Sequence, residues 1–157
     1  MERITVREFL SSLGHQAQLG VVTPGASLKD VVRAMVKGHR RRMVYVVDGE
    51  GKLIGAISLD VLKDVIFRFY LSDRVSDIIV VSEHITELFT SEKAEDVMDP
   101  DISSCQEQET LHEVLARMIE RNIRDLPVLD QQGRVIADLD ILDLLELWLK
   151  KREKALQ

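Results

Sequence analysis

The chain has 157 residues, 45% hydrophobic and 31% charged, which suits one compact domain or two small halves sharing a core and excludes a disordered chain. A net charge of −6 argues against a nucleic-acid partner, and a single cysteine, Cys105, excludes an internal disulfide and fits a reducing compartment. No apolar run approaches the ~18 residues of a membrane helix, and the start has no hydrophobic signal core. A cytoplasmic protein without direct membrane insertion is expected.

Taken in order, Ile4 to Leu13 reads as a short amphipathic helix ended by Gly14. Leu19 to Val22 is a short strand, and Thr23-Pro24-Gly25 a turn. Ser27 caps a helix whose apolar stripe is Leu28, Val31, Val32 and Met35, closed by Gly38. After His39-Arg40-Arg41-Arg42, the stretch Met43 to Val47 is apolar and β-branched, as a buried strand should be. Asp48-Gly49-Glu50-Gly51 is turn chemistry, and Lys52 to Ile57 a second strand. Ser58 stands where an N-cap would, before a helix carrying Leu62, Val65 and Ile66 towards Phe69 and Tyr70.

Residues 71 to 93 form a connecting segment, with Asp77–Ser82 extended and Glu83–Phe89 a short helix. Ala94 to Met98 is another short helix, stopped by Asp99-Pro100. Ile102 to Cys105 is a strand, in which Cys105 reads as a small buried residue. Thr110-Leu111-His112-Glu113 is a capping box opening a helix with Leu111, Val114, Leu115 and Met118 on one face. The last helix, about Ile141 to Arg152, is expected to bury Leu145, Trp148 and Leu149.

The chain is a duplication. Arg124 to Asp140 follows Arg42 to Ser58 position by position, and both Asp48/Asp130 and Gly51/Gly133 lie 82 residues apart. Leu28 and Leu111 lie 83 apart, so one residue is lost before the second hairpin. Each half reads β-α-β-β-α after an opening helix. The expected fold is mixed α/β, two pseudo-symmetric repeats packed face to face through their sheets. The expected segments are 1–70 for the first repeat with its opening helix, 71–93 for the connection and 94–157 for the second repeat.

A strand, a capped helix, a hydrophobic-Pro-Val-hydrophobic-Asp strand (Leu126 to Asp130), a Gly turn, and Gly-hydrophobic-hydrophobic-Ser/Thr-x-x-Asp at the last helix together resemble the CBS domain. The chain looks like a tandem pair of them. The resemblance implies a non-enzymatic regulatory module that binds AMP, ATP or S-adenosylmethionine in clefts between the halves, with no required cofactor. It further implies a homodimer and a regulated partner such as an ion transporter or a metabolic enzyme.

By the same resemblance the Ser/Thr hydroxyl faces a phosphate, the Asp takes the ribose diol, and strand positions grip the adenine. The further candidate ligand-binding positions are Val22, Thr23 and Val44 in the first half, and Ser104, Leu126 and Pro127 in the second. The chain departs from the pattern. Ser58 is in place, but Val61 fills the Asp slot. In the second half Ala137 fills the Gly slot and Asp140 the Ser/Thr slot, with Asp143 correctly placed. The better site is expected around Asp143, and Asp140 biases it away from a triphosphate.

Each residue has a plainer reading. Ser58 and Asp140 are N-caps, and Asp143 is a first-turn acid. His39 to Arg42 is a solvated turn or, with Arg42 and Arg124 preceding the central strands, a phosphate clamp. A structural dimerisation adaptor with non-binding clefts is the alternative function. His15, His39, His84 and His112 show no metal spacing, and no catalytic motif or Walker loop is present.

Overall fold

The computed structural model describes residues 3–13, 19–37, 42–72 and 92–156. The elements are α1 (Val6–Ser12), β1 (Val21–Val22), α2 (Leu28–Val36), β2 (Met43–Val47), β3 (Leu53–Ser58) and α3 (Leu59–Ser72). They continue with α4 (Ala94–Val97), β4 (Cys105–Gln106), α5 (Leu111–Arg121), β5 (Asp125–Leu129), β6 (Val135–Asp140) and α6 (Ile141–Leu156). Gly14, Gly38, His39 to Arg41 and the elements expected over Asp77–Ser82 and Glu83–Phe89 lie outside the described residues. Among the described residues no helix is long and apolar enough to cross a membrane.

Two three-stranded sheets form, ordered β1-β2-β3 and β4-β5-β6, so the fold is mixed α/β and duplicated. In each sheet the first strand runs parallel to the second and the hairpin is antiparallel. The twins agree bond by bond. The Asp48 carboxylate accepts the N–H groups of Glu50 and Lys52 at 2.9 and 3.0 Å; Asp130 accepts those of Gln132 and Arg134, both at 2.9 Å. Gly51 and Gly133 close these turns at φ 83° and 82°, a left-handed conformation that costs glycine nothing. Both hairpins bulge at the same place, after Val46 and after Val128.

The unit from Gly20 to Ile102 is built on α2, whose Ser27 hydroxyl accepts the Asp30 N–H at 3.3 Å. Leu28, Val31, Val44, Val46 and Ile57 are fully buried in its core, each contributing about 1.5–3 kcal/mol. The other unit joins the chain's start, up to Leu19, to Ser103 and beyond. There Thr110 caps α5 by accepting the Glu113 N–H at 3.2 Å, and Val114, Val128 and Leu139 are fully buried.

The opening helices are exchanged relative to the expected segments. α1 was expected with the first repeat, but Val6 and Phe9 are fully buried in the core of the second. Val6 and Arg7 donate backbone N–H bonds to the carbonyls of Glu109 and Glu107, and Leu111 donates to Ile4. α4 repeats this on the first repeat: Ala94 and Glu95 donate to Ala26 and Pro24, and Leu28 donates to Glu92. Each short helix therefore closes a gap in the repeat that its own segment does not supply.

Two further expectations change. β4 starts at Cys105, one position later than its counterpart β1. Tyr45 donates its N–H to Gly20, whereas the equivalent Pro127 has none to give. The preceding residues are held instead by α5. Arg117 donates to the Ser104 carbonyl at 2.9 Å and Arg121 to the Ser103 hydroxyl at 2.7 Å. Among the described side chains of α6 the buried one is Leu144, with Ile141 and Leu147 packed against the same core; Leu145, Trp148 and Leu149 are more than half exposed.

Candidate functional site

In each sheet the hairpin turn lies at one end, and the helix that follows the hairpin starts at the other. At that second end Arg42 and Ser58 meet in the first repeat. Leu59 donates its N–H to the Arg42 carbonyl at 2.9 Å, and Met43 faces Ser58 across the ladder. The Val61 N–H donates to the Ser58 hydroxyl at 3.1 Å. Ser58 is thus an N-cap, yet a hydroxyl that accepts one bond can still donate another.

The second repeat copies the backbone and changes the chemistry. Ile141 donates to the Arg124 carbonyl at 2.9 Å, and Asp125 faces Asp140. Asp140 accepts the Leu142 N–H at 2.9 Å, so it caps α6 with a charge where the first repeat uses a neutral hydroxyl. Asp143, half-buried, follows in the first turn. Strand alternation sets Asp138 and Asp140 on the same sheet face as Asp125, opposite the core face of Leu126, Val128 and Leu139.

Arg42 with Ser58, and Arg124 with Asp140 and Asp143, are therefore brought together at equivalent ends. The remaining expected residues sit elsewhere. Val22 pairs with Val46 and Thr23 follows it, nearer the hairpin turn. Val44 and Leu126 are in the cores, at 0% and 1% exposure, and offer only backbone. Pro127 is buried, and the Ser104 carbonyl already accepts Arg117. Asp125 and Asp138 were not singled out from sequence. The signal was available: Ala137-Asp138-Leu139-Asp140 in a strand sends both acids to one face.

The titrating groups nearer the hairpin turn play structural parts. Burial raises the Cys105 pKa from 9.0 to about 12, helped by the negative Glu109, so the thiol stays protonated and inert. Burial also acts to raise Glu109. The hydrogen bonds from Arg117 and the Gln106 N–H outweigh it and hold the carboxyl below its ordinary range. Among the described residues no group of His, Cys, Asp and Glu is arranged to hold a metal ion.

The family model described as the CBS domain matches residues 6–68 and 94–150. An uncharacterized protein of Methanocaldococcus jannaschii, MJ1225, is 32% identical over 130 residues, 78% of this chain; the chain spans 42% of that relative's length. CBSX2 of Arabidopsis thaliana, solved in complex with AMP, shares 21% identity, with 95% of this chain and 98% of that one covered and a TM-score of 0.69. The CBS domain pair of MJ0100, solved with 5′-methylthioadenosine and S-adenosyl-L-methionine, shares 20% identity, with 96% and 99% covered and a TM-score of 0.67. These two structures share the fold.

Proposed function

Since the chain belongs to the CBS-domain family as a tandem pair of repeats, we propose that it is a non-enzymatic regulatory module that binds an adenosine-type ligand and controls a partner protein. The observation that carries the reading is the meeting of Arg124, Asp140 and Asp143 at the start of α6. A carboxylate at Asp143 suits a ribose diol, because it accepts two hydrogen bonds at once. The AMP and S-adenosyl-L-methionine complexes of two proteins with the same fold support this ligand class.

The two repeats divide the ligand chemistry. Ser58 at the start of α3 is neutral and able to donate, and it suits a phosphate oxygen. Asp140 repels one. Two unit charges about 4 Å apart near a protein surface interact by roughly 4 kcal/mol, against the ~0.3–1 kcal/mol that a helix N-terminus returns to an anion. The second repeat therefore prefers a nucleoside, a monophosphate or the cationic S-adenosylmethionine to ATP. The module works as a homodimer in the cytoplasm. Its partner is an ion transporter or a metabolic enzyme, which it biases because ligand favours one of two arrangements of the module.

Isothermal titration of AMP, ATP and S-adenosylmethionine is the test. Asp143→Ala removes a charge-assisted contact worth ~1.5–3 kcal/mol, so affinity for the best ligand should fall about tenfold or more. Unchanged affinity would refute the Asp143 assignment. No binding of any of the three by the native protein would favour the dimerisation adaptor, a reading that Val61 in the ribose slot already favours for the first repeat.

A further inference from the structure

The helix α4 closes the first repeat with very little. It is four residues long, and a helix shorter than about 12–15 residues does not hold itself together in water. Its place rests on Ala94, fully buried, and on Val97 and Met98, which pack against the same core. Backbone bonds dock it on both sides. Leu28 donates to Glu92, Ala94 to Ala26, Glu95 to Pro24, Ala56 to Asp99 and Asp99 to Ala56. The Met98 side chain reaches across to β3. Its sulfur and Cγ lie 2.5 and 2.9 Å from where a Cβ on Gly55 would stand, so the thioether fills the space that glycine leaves open.

The twin closure is made of other material. Ile4 and Glu92 lie 88 residues apart, as do Val6 and Ala94, Phe9 and Val97, and Leu10 and Met98. Val6 and Phe9 are fully buried, Leu10 packs against the same core, and α1 runs to seven residues. The strand position equivalent to Gly55 is Ala137. The docking bonds are alike, with Val6, Arg7 and Leu111 donating where Ala94, Glu95 and Leu28 do. One repeat is therefore closed with a thioether on glycine, the other with a leucine. Of these side chains the thioether is the one that peroxides oxidise. Conversion to the sulfoxide makes a flexible apolar side chain polar and disrupts apolar packing. Met98 is half-buried, within reach of a small oxidant, and its sulfur already fills the space over Gly55.

We infer that Met98 is a peroxide-sensitive latch on the first repeat: its oxidation releases α4 and Asp99 from their docking bonds while the second repeat stays closed. The thioether sulfur attacks the outer oxygen of a hydroperoxide and the O–O bond breaks. Sulfur is oxidised to the sulfoxide, and the peroxide is reduced to water or an alcohol. A sulfoxide reductase with a dithiol donor reverses the step; the oxygen leaves as water and the dithiol ends as a disulfide. No ligand takes part, so the latch stands whatever either repeat binds.

Hydrogen peroxide on the full chain tests it, with peptide mass mapping to place the oxygen and native-state hydrogen exchange to read the closure. Met98 should be converted ahead of the buried Met35 and Met118. The amides of Leu28, Ala56, Ala94, Glu95 and Asp99 should then lose about tenfold or more in protection. Val6, Arg7 and Leu111, which make the equivalent bonds in the second repeat, should keep theirs. Treatment with the reductase and a dithiol should restore the loss. Met98→Leu carries the twin's side chain in a volume-conserving exchange, and its amides should hold through the same peroxide treatment. Met43→Leu, at the other half-buried methionine among the described residues, should respond as the native chain does. The latch is overturned if Met98 stays reduced while Met43 is converted, or if protection is unchanged once Met98 carries its oxygen. Equal loss in both repeats, or in Met98→Leu, overturns it as well. Should Met98→Leu not fold, the native chain before and after the reductase decides the matter alone.

Discussion

Gly55 and its twin Ala137 show at residue scale why the repeats differ where the family pattern asks for glycine. A Cβ built on Gly55 would stand 2.5 Å from the Met98 sulfur and 3.1 Å from the Asp99 carbonyl oxygen. That segment is pinned to β3 by the Ala56 N–H to Asp99 and the Asp99 N–H to Ala56, at 3.0 and 2.8 Å. In the second repeat α1 stays helical through Ser12, and Ala137 is accommodated at 6% exposure. Gly55→Ala should therefore cost about 1–3 kcal/mol, read by urea unfolding, and adding Met98→Ala should return part of it. A different residue prediction concerns acid. Because Glu109 titrates below its ordinary value of 4.5 when folded, its stabilisation is present above that pH and is lost as pH falls through the folded value. Urea unfolding from neutral pH downwards should show a drop that begins as pH falls below 4.5 and is complete below the folded value, and Glu109→Gln should flatten it. The turn aspartates, Asp48 and Asp130, were legible in sequence because a local Asp-x-x-Gly pattern determines its own hydrogen bonds. Gly55 was not, since its neighbour is 43 residues away along the chain.

At the scale of elements, what sequence hides is the partner. The hairpins, caps and amphipathic stripes of α2 and α5 are local, and they stand where periodicity puts them. The opening helices α1 and α4 carry the same signals, so pattern alone cannot say which repeat each closes. α6 is harder still. Ile141, Leu142, Leu144, Leu145, Leu147, Trp148 and Leu149 leave almost no polar face over two turns. Periodicity then cannot choose between the Leu144 face and the Leu145–Leu149 face. The exchange of α1 has a direct consequence. Phe9→Ala removes a fully buried ring from the core of the second repeat, at about 3–5 kcal/mol. Native-state hydrogen exchange should show amides of β5, β6 and α5 losing protection first and most, with β2 and β3 following only in global unfolding. Equal early loss in both sheets would contradict the assignment of α1 to one core.

For the whole molecule, the duplicated backbone carries an unequal distribution of charge. Met43, Ala56, Ser58 and Val61 in the first repeat stand where the second has Asp125, Asp138, Asp140 and Asp143, each pair 82 residues apart. Hydrogen bonding of the backbone is the same at both ends, through Leu59 to Arg42 and Ile141 to Arg124. Four acids replacing four neutral side chains therefore change the local potential and leave the frame alone. A chain with two equal sites would respond to one ligand twice; under the proposed function, this asymmetry would let the two repeats tell anionic from cationic adenosine compounds. Asp140 is the most direct lever, because its twin is a hydroxyl that also caps its helix, accepting the N–H three residues on where Asp140 accepts the one two residues on. Asp140→Ser should keep the cap and remove the charge, so stability should change by under about 1 kcal/mol. Titrations of AMP, ADP and ATP into the native protein should show binding at the second repeat weakening with each added phosphate. In Asp140→Ser the penalty for ATP relative to AMP should shrink about tenfold or more. If the order and spacing of the three affinities stay as they were, charge at the start of α6 does not select the ligand, and the asymmetry serves something other than binding.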